Sequence, residues 1–263
     1  KTGEVIGEEL NAVGINVDFA PVLDIVTIPE NKLLIKRSYG STPEIVSKHG
    51  NAFIEGIQSK GVIATAKHFP GHGSTNIDSH GKLPLIDIER DTFYSRELIP
   101  FKNSIDNGLD AIMVGHLSYP KLDPSNLPAT MSEYFLVDLL RKELDFKGIA
   151  FSDDIEMSGY SKGQNSLEES VLTSFNGGLD VFLIGHSKEV QDKVLDTLTK
   201  GLAEGSISEA RLNESVLRII KIKLKYELSD KMKYNREEAR EYFGNKEHKE
   251  ILDSIKKSYA EAF

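Results

Sequence analysis

No cysteine occurs among the 263 residues, which excludes a disulfide framework, thiolate zinc sites and a cysteine nucleophile. No apolar run approaches the roughly 20 residues that a membrane-spanning helix needs. No basic, apolar and small-residue leader opens the chain. Positive charge is also scarce: 32 Lys and Arg face 41 Asp and Glu, a formal net charge of -9. That balance excludes a broad nucleic-acid surface, because phosphate binding needs clustered cations. The one basic run, Arg218 to Lys225, falls on an amphipathic helical pattern and reads as a solvated face. A glycine-rich dinucleotide fingerprint, an H-E-x-x-H zinc motif, low-complexity tracts and fixed-period repeats are all missing. The expectation is a cytoplasmic protein. Export is the alternative, because the opening KTGEVIGEELNAVGI begins inside an amphipathic helical pattern with no start methionine.

What is present is an alternation of helices and short apolar runs at intervals suited to βα units. Strands are expected at Ile15 to Leu23, Val62 to Lys67, Ala111 to Gly115, Gly148 to Ser152 and Val181 to Ile184. Between them, helices are expected over Pro43 to Lys60, Ile88 to Asn107, Met131 to Leu144 and Ser166 to Asn176. Two more, Lys188 to Ala203 and Ser208 to Glu227, close the series. Residues 1–228 therefore read as one α/β domain, and the charged 229–263 as a helical linker or the start of a second domain.

Polar residues gather where the strands end. His68 and the loop after it follow the second strand, His116 the third, Asp153 and Asp154 the fourth, and His186 the fifth. In a parallel βα barrel these ends open onto one face, where active sites sit. The densest stretch is Lys67 to Pro84, KHFPGHGSTNIDSHGKLP, which holds three of the seven histidines. Pro70, Gly71 and Gly73 forbid regular structure there and let backbone approach a ligand. Within it, Asp78 and His80 form D-S-H: a carboxylate on one imidazole nitrogen orients the ring and raises its basicity, leaving the other nitrogen to exchange a proton. Asp153 stands where a carboxylate could attack an anomeric carbon. Neighbours leaving a strand point to opposite faces, so only one of Asp153 and Asp154 meets the site, and the other suits a cap. Lys67 and His68 could bind hydroxyl groups, and Arg37 could clamp a polar substrate group. His72 and His116 are balanced between ligand contact and structural bracing, and His186 reads as structural. A metal centre built from His68, His72, Asp78, His80 and His116 has no supporting ligand spacing.

These blocks resemble glycoside hydrolase family 3, in particular its β-N-acetylglucosaminidase (β-hexosaminidase) branch. The matching segments are GINVDFAPVLDI (Gly14 to Ile25), RSYG (Arg37 to Gly40), KHFPGHG with DSH and LP (Lys67 to Pro84), DAIMVGH (Asp110 to His116) and KGIAFSDDIEM (Lys147 to Met157). The resemblance implies a (β/α)8 TIM-type barrel, here expected to lack its N-terminal strands. It implies a retaining glycosidase with Asp153 as nucleophile, His80 as acid/base and Asp78 as its partner. Lys67, His68 and Arg37 match sugar-binding positions, and His116 joins them as a candidate. No metal or organic cofactor is implied. The substrate implied is a small carbohydrate or muropeptide from bacterial peptidoglycan recycling, with no nucleic-acid partner and no membrane span. Two rival expectations are a non-catalytic carbohydrate-binding remnant of the fold and a metal-dependent barrel hydrolase.

Overall fold

The computed structural model describes residues 1–32, 34–75, 81–161, 166–229 and 236–262. Five strands, β1 (Val17–Asp18), β2 (Ile63–Phe69), β3 (Ala111–Val114), β4 (Ile149–Asp154) and β5 (Val181–Leu183), make one curled sheet. Its spatial order is the order of the sequence, and every neighbouring pair is parallel. The helices are α1 (Thr2–Ala12), α2 (Pro43–Gln58), α3 (Arg90–Thr92), α4 (Ile99–Asp106), α5 (Ser158–Ser161), α6 (Leu167–Asn176), α7 (Lys188–Glu204), α8 (Glu209–Lys225), α9 (Arg236–Tyr242) and α10 (Lys246–Ala262).

Alternation along the strands sorts the apolar residues into two layers. Ala64, Ala66, Ile112, Val114 and Ala150 pack with Val46, Ile54 and Ile57 of α2 and Phe101 of α4. Ile63, Ala111 and Ile149 face the other way and receive Ile222 of α8. Small alanines on the helix side let α2 and α4 come close to the sheet. The chain is an α/β protein with helices laid against a parallel sheet.

Three expected elements differ in detail. The first strand is ordered as a ladder only at Val17–Asp18, with an isolated bridge from Val22 to Lys67. Pro21 has no N–H to give, so the ladder cannot run unbroken from Ile15 to Leu23. The helix expected over Ile88 to Asn107 is α3, a wide π-type turn at Phe93–Glu97, and then α4. Pro100 again removes a donor near the break. The helix expected from Met131 starts with a tight turn at Ala129–Met131 and continues in wide turns over Tyr134–Glu143.

The two ends of the sheet have different tasks. Asp110 and Asp180 each stand one residue before a strand. Asp110 takes the Lys225 ammonium at 2.6 Å and the Tyr226 hydroxyl at 2.6 Å. Asp180 binds Arg141 at 2.8 Å, Arg218 at 3.0 Å, Ser215 at 2.5 Å and the Ala150 N–H at 3.0 Å. These carboxylates tie α8 and the helix Tyr134–Glu143 to the strand starts, which leaves the opposite ends of the strands for chemistry.

Candidate active site

The last residues of β2 carry Lys67 and His68. Asp24, which follows the irregular first strand, is completely buried and organises the ground beside them. Its Oδ2 lies 2.7 Å from His68 Nδ1, and its Oδ1 accepts the backbone N–H of His72 at 2.7 Å and of His68 at 3.2 Å. Burial works against the Asp24 charge, but His68 and these hydrogen bonds outweigh it and hold the carboxyl below its ordinary pKa. The ionised Asp24 thereby fixes the His68 ring and the start of the loop together.

The loop is pinned along its described length. At Gly73 a Cβ would come within 1.7 Å of the Ile25 carbonyl oxygen, so only glycine fits this approach. Asn31 donates to the Thr75 carbonyl at 2.6 Å, and Ser74 donates to Glu97 Oε1 at 2.6 Å. Burial pushes the Glu97 carboxyl up against the opposing pull of Ser74 and Arg96. Tyr119 donates to the Gly71 carbonyl. His72 is buried in this ground, its ring edge-on to His68 at 5.8 Å, with neither ring nitrogen hydrogen-bonded among the described residues. Burial lowers its pKa, so the ring is held neutral.

Asp153 leaves β4 on the same face as Ile149, as Lys67 leaves β2 on the face of Ile63. The Lys67 ammonium has its pKa lowered first by burial and then by the Arg37 charge, while Asp153, Asp18 and Asp24 pull it back up. Lys67 and Asp153 on the sheet and Arg37 on a turn, far apart in sequence, therefore share one electrostatic neighbourhood. Asp153 Oδ1 accepts the Asp154 N–H at 2.9 Å, which orients the carboxylate. Asp154 is committed to the turn: its Oδ1 accepts N–H groups from Glu156 at 3.1 Å and Gly185 at 3.3 Å.

His116, a candidate for sugar contact, is completely buried. Its Nδ1 meets Thr130 Oγ1 at 3.0 Å and its Nε2 the Asp154 carbonyl at 3.0 Å, leaving neither nitrogen for a hydroxyl of a ligand. The residue braces the main chain at Asp154, next to Asp153. Asp78 and His80 lie outside the described residues. Asp24 and Glu97 are the site residues that sequence reasoning passed over. Asp24 had a signal, since it directly follows INVDFAPVL, at the position where the other strands deliver their polar residues. Glu97 had none, because an acidic residue in an amphipathic helix ordinarily faces water.

Comparison with known proteins matches residues 1–222 to the family described as the glycosyl hydrolase family 3 N-terminal domain. The chain belongs to glycoside hydrolase family 3. Among its relatives, "Beta-hexosaminidase A" of Pseudoalteromonas piscicida is 35% identical over 242 residues, which are 86% of this chain and 40% of that protein. A solved family 3 β-N-acetylglucosaminidase from Paenibacillus sp. str. FPU-7 superposes with a TM-score of 0.83 at 37% identity, covering 91% of this chain and 47% of that one. A β-glucoside phosphorylase superposes with a TM-score of 0.86 at 28% identity, covering 95% and 47%. The chain thus spans less than half the length of each of these three proteins. No helix among the described residues is long and apolar enough to cross a membrane.

Proposed function

We propose that this family 3 chain carries the reaction centre of a retaining glycosidase that removes terminal β-linked N-acetylglucosamine from peptidoglycan-derived glycans, within a (β/α)8-type barrel. The observation that carries the reading is that the parallel strands β2 and β4 deliver Lys67 and Asp153 to the same end of one sheet, where the charges of Asp153 and Arg37 both act on Lys67. In the first step Asp153 attacks the anomeric carbon while His80, oriented by Asp78, gives its proton to the departing glycosidic oxygen. In the second, His80 takes a proton from water, the hydroxide adds to the anomeric carbon, and the bond to Asp153 breaks. Lys67 and His68, the latter fixed by Asp24, and Arg37 hold sugar hydroxyls. N-acetylglucosamine as the sugar is supported by the names of the hexosaminidase and N-acetylglucosaminidase relatives.

Turnover of aryl β-N-acetylglucosaminide tests the reading. Asp153→Asn is expected to lose about three orders of magnitude or more in kcat with an unchanged melting curve. Near-normal activity in that variant sinks the assignment. For His80→Ala the loss should be small with an activated phenol as leaving group and large with a poor one; an equal loss for both would remove His80 from the acid role.

A further inference from the structure

The rim above the sheet carries a second set of metal-ligating side chains that the proposed reaction does not use. Asp154 ends β4, Glu156 lies two residues on and His186 follows β5, and because these strands are neighbours their ends bring the three together. One ligand atom from each lies within 4.8 Å of the others. His186 Nδ1 stands 3.8 Å from Asp154 Oδ2 and 3.6 Å from Glu156 Oε2. Both separations are too long for hydrogen bonds. Two donors about 2.0–2.1 Å from a zinc ion sit roughly 3.3–3.7 Å apart at tetrahedral to trigonal angles; the Glu156 separation falls in that range and the Asp154 separation just beyond it.

The main chain presets the carboxylates. Glu156 Oε2 accepts the His186 N–H at 2.6 Å, and Asp154 uses Oδ1 for its own backbone donors. Asp154 Oδ2 is thereby left facing the imidazole. Gly185 keeps that oxygen clear, because a Cβ there would come within 2.5 Å of it. The His186 side chain is 86% exposed, so the remaining positions on a bound ion would open to water. One imidazole and two carboxylates form a ligand set of the kind that holds zinc with a free position.

We propose that Asp154, Glu156 and His186 form a zinc-class divalent-cation site at the rim, one residue beyond Asp153 and separate from the histidines of the pocket. The assignment does not rest on the glycosidase reading, because it is read by binding. Zinc chloride titrated calorimetrically into the chelator-washed full chain should bind at one saturable site. His186→Ala should weaken that site at least tenfold, and should remove the visible absorption that cobalt(II) gives in the same place. Glu156→Gln should weaken it in the same direction. His186 is exposed, so the alanine variant keeps its fold, and its metal-free turnover should be unchanged. Two outcomes overturn the site. One is an isotherm identical in His186→Ala, which would put the metal on the pocket histidines. The other is no saturable binding, which would leave His186 as an imidazolium paired with two acids.

Discussion

At His116 the partners decide where the proton sits. The Asp154 carbonyl only accepts, so Nε2 carries the hydrogen and Nδ1 takes the one on the Thr130 hydroxyl. Burial lowers the pKa, which agrees with a neutral ring satisfied on both sides. Replacing it with alanine leaves a buried carbonyl and a hydroxyl unpaired around a cavity. His116→Ala should therefore cost about 3–5 kcal/mol in urea unfolding, and a loss below about 1 kcal/mol would show that the two bonds contribute little. The sequence marks this residue as important by its place after DAIMVG but does not say in which direction it acts, since a histidine at a strand end serves a ligand or the backbone equally well. Asp24 is similar: its place just after INVDFAPVL marks a strand-end polar residue, but its role exists only once the His68 ring and the His72 N–H are folded against it.

Secondary structure was legible where a run of side chains agrees with its boundary signals. Strands β2 to β5 are short apolar runs closed by glycine, histidine or aspartate, and each appears within a residue or two of its expected span. Helix α6 begins with Ser166 and Glu169 answering each other: the serine Oγ accepts the Glu169 N–H at 3.2 Å, and the glutamate accepts the Ser166 N–H at 3.0 Å. This capping box holds the start of the element that delivers the chain to β5. Ser166→Ala should cost about 1 kcal/mol, measured as a lower urea midpoint with an unchanged slope, and Ser166→Asp should recover most of it. Equal stability of the alanine variant would mean that packing alone sets the helix start. The wide turns at Phe93–Glu97 and Tyr134–Glu143 were not legible, because both preserve the apolar spacing of an ordinary helix while the backbone ladder shifts by one residue.

Across the whole molecule, ionic ties join segments that no local pattern connects, and among the described residues the longest in sequence joins α10 to α1. His248 is buried with Nδ1 2.9 Å from Glu9 and Nε2 3.2 Å from Glu8, and Glu8 also holds Lys60 at 2.6 Å. Two carboxylates that only accept can both be satisfied only by a ring protonated on both nitrogens, so the docked form is the imidazolium. Burial pulls the His248 pKa down, but the hydrogen bonds to Glu9 and Glu8 outweigh it and raise it above the ordinary histidine value. The direction of the pH dependence follows from that. A pKa raised by docking contributes stability that is fully present below the free value of about 6.5 and is lost as pH rises through the higher docked value. Amides of α10 should therefore be better protected from hydrogen exchange at pH 6 than at pH 9, after correction for the intrinsic rate. In His248→Ala the protection should be lower at pH 6 and the same at both values. If the wild-type protection does not change between the two, the C-terminal helix is held by apolar contact, and the ion triad contributes nothing to how the end of the chain meets its beginning.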